Sequence, residues 1–459
     1  MGRGLRPGTQ EGNSRIFVKK RARVQVARNS TMGFLVLVAG ICCFGGIAEG
    51  SDISGGWQGV WTKDGDVLPV TVTIAKSGDG YSGTFSSDDL QVSNIPFAEV
   101  GDSAGNVHMV LRGDQSTIVF DGAEHGAELE GALTDGPAKG TFSLKRAVLP
   151  AADVASRDVT FRNGDISLAG TLSSPLSAGR HPAILFLQGS GPEARFANRW
   201  LAEKFTEAGF VSLIYDKRGV GQSTADWQKA GFGELADDAV AGIRFLQGQP
   251  KVNPTSVGIY GHSQGGTIAP LVADDAGGLA FIIASAAGGI SPADVELYSV
   301  ENSIGLSALP AKERAEAKTY VATLIDAAYH GRDRAALDAL AGRFKERSWY
   351  FDPPPPGNSY WTISKQIAGF EPTKYWRQVK SPVLLVYGAK DERIPVKPSI
   401  DAIYAALRSG GNSRVTLRIL SGVDHTFAIV DRTHKNGWPK HEPDYAKFLT
   451  QWAASHIAR

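Results

Sequence analysis

A serine, an aspartate and a histidine stand in this sequence in the order and settings that nucleophilic acyl transfer needs. Ser263 lies in "GIYGHSQGG", Gly258 to Gly266, between Gly261 and Gly265. The preceding "SVGIYG" reads as a strand and the following "GGTIAPLVAD" as a helix, so the serine falls at a strand-to-helix turn. That context makes a G-x-S-x-G match a nucleophile elbow rather than a glycine-rich loop. The flanking glycines permit a tight turn, and the helix N-terminus favours negative charge near the hydroxyl.

A serine hydroxyl needs a base, and the base needs an orienting carboxylate. After the apolar run "PVLLVYG" comes "AKDERIP", which puts Asp391 just beyond a strand's C-terminal end. After "RVTLRIL" comes "SGVDHTF", which puts His425 in the next such loop. Of the nine histidines, only His425 has this order and position. Glu392 and Asp424 compete with Asp391 for the acid's role. Asp424 adjoins the histidine, where neighbouring side chains diverge, and Glu392 is one residue late for the turn, so Asp391 is the expected acid. His434 and His441 show no ligand spacing, and the chemistry calls for no metal or cofactor.

The tetrahedral intermediate also needs donors aimed at its oxyanion. The backbone N–H of Gln264, the residue after the nucleophile, is one. The loop after "AILFLQ", where "QGSGP" runs from Gln188 to Pro192, is expected to give the other from Ser190, with Gly189 second.

These loops have to be held by a sheet, and the chain supplies one. From residue 158 to residue 459, continuous apolar strands ("AILFLQ", "VSLIYD", "SVGIYG", "FIIASA", "PVLLVYG", "RVTLRIL") alternate with helical stretches, after a hairpin turning at Asn163 and Gly164. The pattern predicts an α/β domain built on a doubly wound, mostly parallel sheet with helices on both faces. The alternation breaks at about 290–380, where "AKERAEAKTYVATLIDAAYH" is strongly helical and "WYFDPPPPGNSYW" follows. So long an interval reads as a helical cap inserted over the sheet edge, with Trp349, Tyr350, Phe351, Tyr360 and Trp361 giving it aromatic surface.

Residues 53–146 follow a different grammar, with short period-two runs such as Leu68, Val70, Val72 and Ile74 separated by glycine and aspartate turns. They predict a small antiparallel β barrel or sandwich. Trp57 and Trp61 on its first strand are expected to plug its core, against the alternative of a lipocalin-like cup for an apolar ligand. Residues 147–157 read as the linker.

Residues 1–48 are basic up to Arg28 and then uncharged around "MGFLVLVAGICCFGGIA". This reads as a signal peptide cut near Ala48, or as an uncleaved N-terminal anchor. Both cysteines, Cys42 and Cys43, fall inside it, so a cleaved chain has no disulfide and no thiol nucleophile. The protein is expected to be exported, periplasmic or secreted, and to touch a membrane only through that segment. A formal net charge of +1 over 459 residues, with no basic stripe, argues against nucleic acid as a partner.

Taken together, "QGSGP", "YDKRGVGQS", "GHSQGG", "GAKDERIP" and "DHTF" resemble the α/β-hydrolase superfamily, close to exported esterases of the dienelactone-hydrolase-like and serine-aminopeptidase-like groups. The resemblance runs from about Val159 to the C-terminus. It implies Ser263 as nucleophile, Asp391 as acid and His425 as base, and marks "DKRGVGQS" as a structural loop that Asp216 and Arg218 brace. Gln188 departs from the histidine common before the oxyanion glycine.

The leading expectation is a carboxylic ester hydrolase acting on a small-molecule ester, of short acyl or aryl type. An aminopeptidase is the alternative and would need a cap carboxylate, from Glu296, Glu301, Glu313 or Glu316, to hold a substrate amine. A non-catalytic protein that captures a ligand in its β domain is a third reading, opposed by the intact Ser, Asp and His set.

Overall fold

The computed structural model describes residues 52–457, apart from 79, 104, 114, 115, 150–153, 333 and 431–436. The expected export segment, with Cys42 and Cys43, lies outside them, as does His434. Among the described residues, no helix is long and apolar enough to cross a membrane.

The first sheet is antiparallel throughout. Its strands are β1 (Gly55–Lys63), β2 (Asp66–Ser77), β3 (Gly80–Ser87), β4 (Val92–Pro96), β5 (Glu99–Ser103), β6 (Asn106–Arg112), β7 (Thr117–His125), β8 (Glu128–Asp135) and β9 (Ala138–Arg146). They are ordered β4-β3-β2-β1-β9-β8-β7-β6-β5. Alternation along β2 buries Leu68, Val70, Val72 and Ile74 on one face, as a half-buried strand must. The sheet curls into a half-barrel rather than stacking as a sandwich. Trp61 of β1 meets Phe85 of β3 at 4.8 Å and Phe120 of β7 at 4.6 Å, ring centre to ring centre. Both Trp57 and Trp61 are fully buried, so the indoles fill the concavity rather than line an open cup. Each such ring contributes roughly 2–3 kcal/mol by burial.

The second sheet comprises β10 (Val154–Asn163), β11 (Ile166–Pro175), β12 (His181–Leu187), β13 (Val211–Tyr215), β14 (Val252–His262), β15 (Ile282–Ser285), β16 (Val383–Gly388) and β17 (Val415–Leu420). The order is β10-β11-β13-β12-β14-β15-β16-β17. It is a mixed sheet where a mostly parallel one was expected. The hairpin β10–β11 pairs antiparallel within itself and also onto β13, while β13, β12, β14, β15, β16 and β17 run parallel. A tight turn at Gly164, φ 54°, reverses the chain between β10 and β11, and β11 then continues along the free edge of β13.

β13, β15 and β16 are buried from end to end, and β12 from Ala183 on, as strands covered on both faces must be. On one face lie α1 (Arg199–Glu207) and, from the far end of the chain, a helix over Tyr445–Ser455, packing Trp200, Phe205, Leu449 and Trp452 onto Phe186, Ile283 and Leu384. On the other lie α2 (Phe232–Gln247) and α3 (Gln264–Asp275).

Between β15 and β16 the chain makes five helices among the described residues: α4 (Pro292–Gly305), α5 (Ala311–His330), α6 (Arg334–Phe344), α7 (Ser359–Ile367) and α8 (Pro372–Trp376). The aromatic residues expected on their surface instead form their interior. Trp349 and Tyr360 are buried in the same core that lines the sheet, with Tyr350, Phe351 and Trp361 packed against it. Tyr320 of α5 gathers them, its ring 5.4–6.1 Å from those of Trp349, Tyr350 and Phe351. Beyond β16 come α9 (Val396–Ser409) and α10, the C-terminal helix already placed on the first face.

Candidate active site

The chain runs through β12, adds β13 on one side, and then crosses to add β14 on the other, so neighbouring loops diverge at the C-terminal ends of β12 and β14. Crevices for ligands form at such switch points. The loops after β12, β14, β16 and β17 carry Gly189, Ser263, Asp391 and His425 respectively.

Ser263 joins β14 to α3 with φ 56° and ψ −117°, a conformation that a side chain adopts at a cost of about 1–3 kcal/mol. The turn is held from outside: the Ser263 N–H donates to Ser285 O at 2.9 Å, and Thr267 N–H donates to Ser263 O at 2.9 Å to start the helix. Its closeness dictates the flanking residues. A Cβ on Gly261 would stand 2.3 Å from the Gly265 carbonyl carbon, and one on Gly265 would stand 2.9 Å from the backbone oxygens of Leu187 and Gln188.

The Ser263 hydroxyl lies 3.0 Å from His425 Nε2, and His425 Nδ1 lies 2.9 and 3.0 Å from the two oxygens of Asp391. A carboxylate only accepts, so Nδ1 carries the proton and Nε2 is left to accept from the serine. Asp391 is buried, and its Oδ1 also accepts from the N–H groups of Arg393 at 2.9 Å and Ile394 at 2.8 Å, which fixes the carboxylate plane. The competing acids do other work. Asp424 accepts from Thr426 N and Ala428 N, closing the histidine's own turn, and Glu392 accepts from His425 N at 3.4 Å.

The expected oxyanion donors lie on the first turn of α3 and in the loop after β12. Gln264 N–H belongs to the first residue of α3, where the helix leaves its amides without intrahelical acceptors. Of the two candidates in the loop after β12, Ser190 is exposed, whereas the Gly189 N–H is taken: it donates to Glu193 Oε2 at 2.6 Å. Engagement by that carboxylate occupies the Gly189 N–H.

Asp216 and Arg218 are buried and find separate partners. Asp216 accepts from the Arg195 backbone at 2.9 Å and pairs with its guanidinium at 3.2 Å, while Arg218 grips Asp238 through Nε and Nη2 at 2.7 and 2.8 Å. Gln188, where a histidine was the familiar residue, donates its side-chain amide to Tyr215 O and ties the two loops together.

Two residues not singled out by motif belong here. His262, beside the nucleophile, is held down to a pKa of about 4, chiefly by burial and then by the nearby His425. Its Nε2–H donates to the His425 backbone carbonyl at 2.9 Å, so a neutral imidazole positions the base. Its signal was its place inside the elbow motif itself. Lys217, inside the loop read as structural, donates to Gly189 O, to Gly191 O at 2.9 Å and to Gln264 Oε1 at 3.2 Å. One ammonium thus ties the oxyanion loop to the residue after the nucleophile.

Burial lowers the Lys217 pKa from 10.5 to about 8, with Glu193 acting in the opposite sense. The ammonium has three donors for three acceptors; the neutral amine has two. Any contribution of Lys217 to turnover should therefore be complete well below its pKa and be lost as pH rises through about 8. Dividing the wild-type pH profile by that of Lys217→Met should show a step down across that range. A ratio flat with pH would show that the lysine does not hold this loop.

The family profile described as "Serine aminopeptidase, S33" matches residues 179–429, more than half of the chain. An "Uncharacterized peptidase YtmA" of Bacillus subtilis is 28% identical over 138 residues, covering 30% of this chain and 52% of that protein. A "Putative carboxymethylenebutenolidase" of Synechocystis sp. is 28% identical over 131 residues, covering 25% of this chain and 52% of its own. The chain spans about half the length of the curated relatives it matches. Among solved structures, the esterase PF2001 of Pyrococcus furiosus aligns with a TM-score of 0.44 at 16% identity, over 68% of this chain and 97% of that one.

Proposed function

The chain belongs to the serine aminopeptidase, S33 family, an α/β serine hydrolase family, and from that premise we propose that it cleaves carboxylic esters through an acyl-enzyme on Ser263. The observation that carries the reading is the unbroken hydrogen-bonded line from Ser263 Oγ through the His425 ring to Asp391, at 3.0 and 2.9 Å. His425 takes the serine proton as the hydroxyl attacks the ester carbonyl. The oxyanion is met by the N–H groups of Gln264 and Ser190 at the positive end of α3. The imidazolium, steadied by Asp391, returns the proton to the leaving alcohol, and water then repeats the sequence to free the acid.

Esters are favoured over peptides because three of the four candidate cap carboxylates, Glu296, Glu301 and Glu316, are already engaged. Glu296 accepts from the hydroxyls of Tyr329 at 2.7 Å and Tyr360 at 3.0 Å, and burial raises its pKa, which disfavours the charge a substrate ammonium would need. Glu316 pairs with Arg347 at 3.0 Å and Glu301 with Lys318 at 3.5 Å. The basic, then apolar, N-terminal segment supports action outside the cytoplasm.

The test sets p-nitrophenyl acetate, butyrate and octanoate against aminoacyl p-nitroanilides. Ester kcat/KM should exceed anilide kcat/KM, with the chain-length optimum sizing the acyl site. Faster anilide cleavage would replace this reading with the peptidase.

A further inference from the structure

Among the described residues, the half-barrel meets the larger domain at two places. One is α1, where Trp200 Nε1 donates to Asp88 at 2.7 Å. The other is the segment beyond His425. Trp438 is buried within the half-barrel's core, its ring 6.1 Å from Trp61, with the Lys63 ammonium above it at 4.1 Å. Lys63 is itself buried and paired with Asp135 at 2.8 Å, so this cation is fixed over the indole. Beside the anchor, Gln91 Nε2 donates to Glu442 O at 3.1 Å and Lys440 lies 3.8 Å from Asp66.

The anchored segment is in turn paired to the turn that carries the histidine. Ala428 and His441 form an antiparallel bridge, Ile429 N–H donates to Lys440 O at 2.6 Å, and Glu442 N–H donates to Phe427 O at 3.3 Å. The turn closes on itself through the Val423–Ile429 bridge and the bond from Val430 N–H to Gly422 O at 2.9 Å.

The turn is cored on its incoming side, where Val423 and Phe427 are buried and Phe427 stacks on Tyr445 at 4.7 Å. Its outgoing side, which pairs with the anchored segment, is not: Ile429 and Val430 are exposed, and the turn follows β17, an edge strand with only Leu420 buried. Segments with few buried apolar contacts open most readily. A general base must nevertheless be held within about 0.5 Å of its productive position.

We infer that the half-barrel serves the reaction as a clamp on the histidine turn, with Trp438 as the positioning residue through which it acts on His425. The inference rests on the reading of His425 as the base. It gives the N-terminal domain a part in turnover that needs no ligand in its concavity.

The experiment measures kcat and KM for p-nitrophenyl butyrate, together with hydrogen exchange of the Ile429 and Val430 amides, in the full chain and in Trp438→Ala, Trp438→Phe and Gln91→Ala. Trp438→Ala should speed exchange at both amides and lower kcat on the order of 10- to 100-fold with KM unchanged. Trp438→Phe should restore most of both. Gln91→Ala, which leaves the half-barrel's core intact, should move both in the same direction by less, so a misfolded Trp438→Ala would not leave the matter open. Native exchange at Ile429 and Val430 in these variants would overturn the clamp. So would faster exchange with wild-type kcat. If the wild type hydrolyses no ester, the ester reading fails while the exchange measurement still decides the anchoring.

Discussion

Ser263→Ala should lose ester turnover by on the order of 10⁴- to 10⁶-fold, because Ser263 Oγ is the hydroxyl that His425 Nε2 meets, at 3.0 Å. The fold should survive, since Oγ makes no bond that shapes the elbow; the elbow is held by the Ser263 N–H and carbonyl. Backbone strain gives the prediction a second arm. At φ 56° alanine is as strained as serine, whereas Ser263→Gly relaxes the position. The glycine variant should be as inactive as the alanine variant yet melt higher, by roughly 1 kcal/mol of relieved strain. Thermal melts of both beside their activities check this. Equal melting temperatures would show that the turn stores no strain, and residual ester turnover in either would move the nucleophile elsewhere.

The second large effect is expected at Asp391→Asn, and the hydrogen bonds around the carboxylate say why. Oδ1 already accepts from Arg393 N–H and Ile394 N–H, so an asparagine would place its carbonyl oxygen toward those two donors. Its amide would then face His425 Nδ1, and the imidazole would shift its proton to Nε2 to accept there. A histidine protonated on Nε2 cannot take the serine proton. The geometry should persist while kcat falls about 10⁴-fold. A crystal structure with an undisturbed site beside that loss would support the account; near-normal turnover would make Asp391 a structural residue and return Glu392 or Asp424 to consideration.

Much of this site was legible because its parts are local. Ser263, Asp391 and His425 each follow directly on an apolar strand, so their loops could be placed without knowing how the strands are ordered. The half-barrel's period-two runs were equally plain, although whether they closed as a barrel or stacked as a sandwich was not written in them, because closure depends on contacts between distant strands such as Trp61 with Phe85 and Phe120. The mixed character of the second sheet escaped for the same reason. Asn163 and Gly164 announce the hairpin, but nothing local says that β11 will lie against β13. The cap's aromatics looked like surface because Tyr320, which gathers Trp349, Tyr350 and Phe351, lies about thirty residues before them in sequence.

The oxyanion loop shows the limit most clearly. Two glycines mark where backbone approaches substrate, yet only the folded chain reveals that Glu193 occupies the Gly189 amide and that Lys217 reaches across from the next loop. Trp438 is the extreme case: a tryptophan late in the sequence, outside any strand or helix, packed against a residue near the start of the half-barrel.

The central claim is covalent, and it is tested most directly by trapping the covalent state. Turnover of p-nitrophenyl butyrate is quenched in acid during the first turnover, and the digested protein is mapped by mass spectrometry. The account predicts a butyryl group on the peptide bearing Ser263, formed at the rate of the p-nitrophenol burst and absent from Ser263→Ala. Ester hydrolysis that proceeds with no acyl adduct, or with the adduct on another residue, would contradict it.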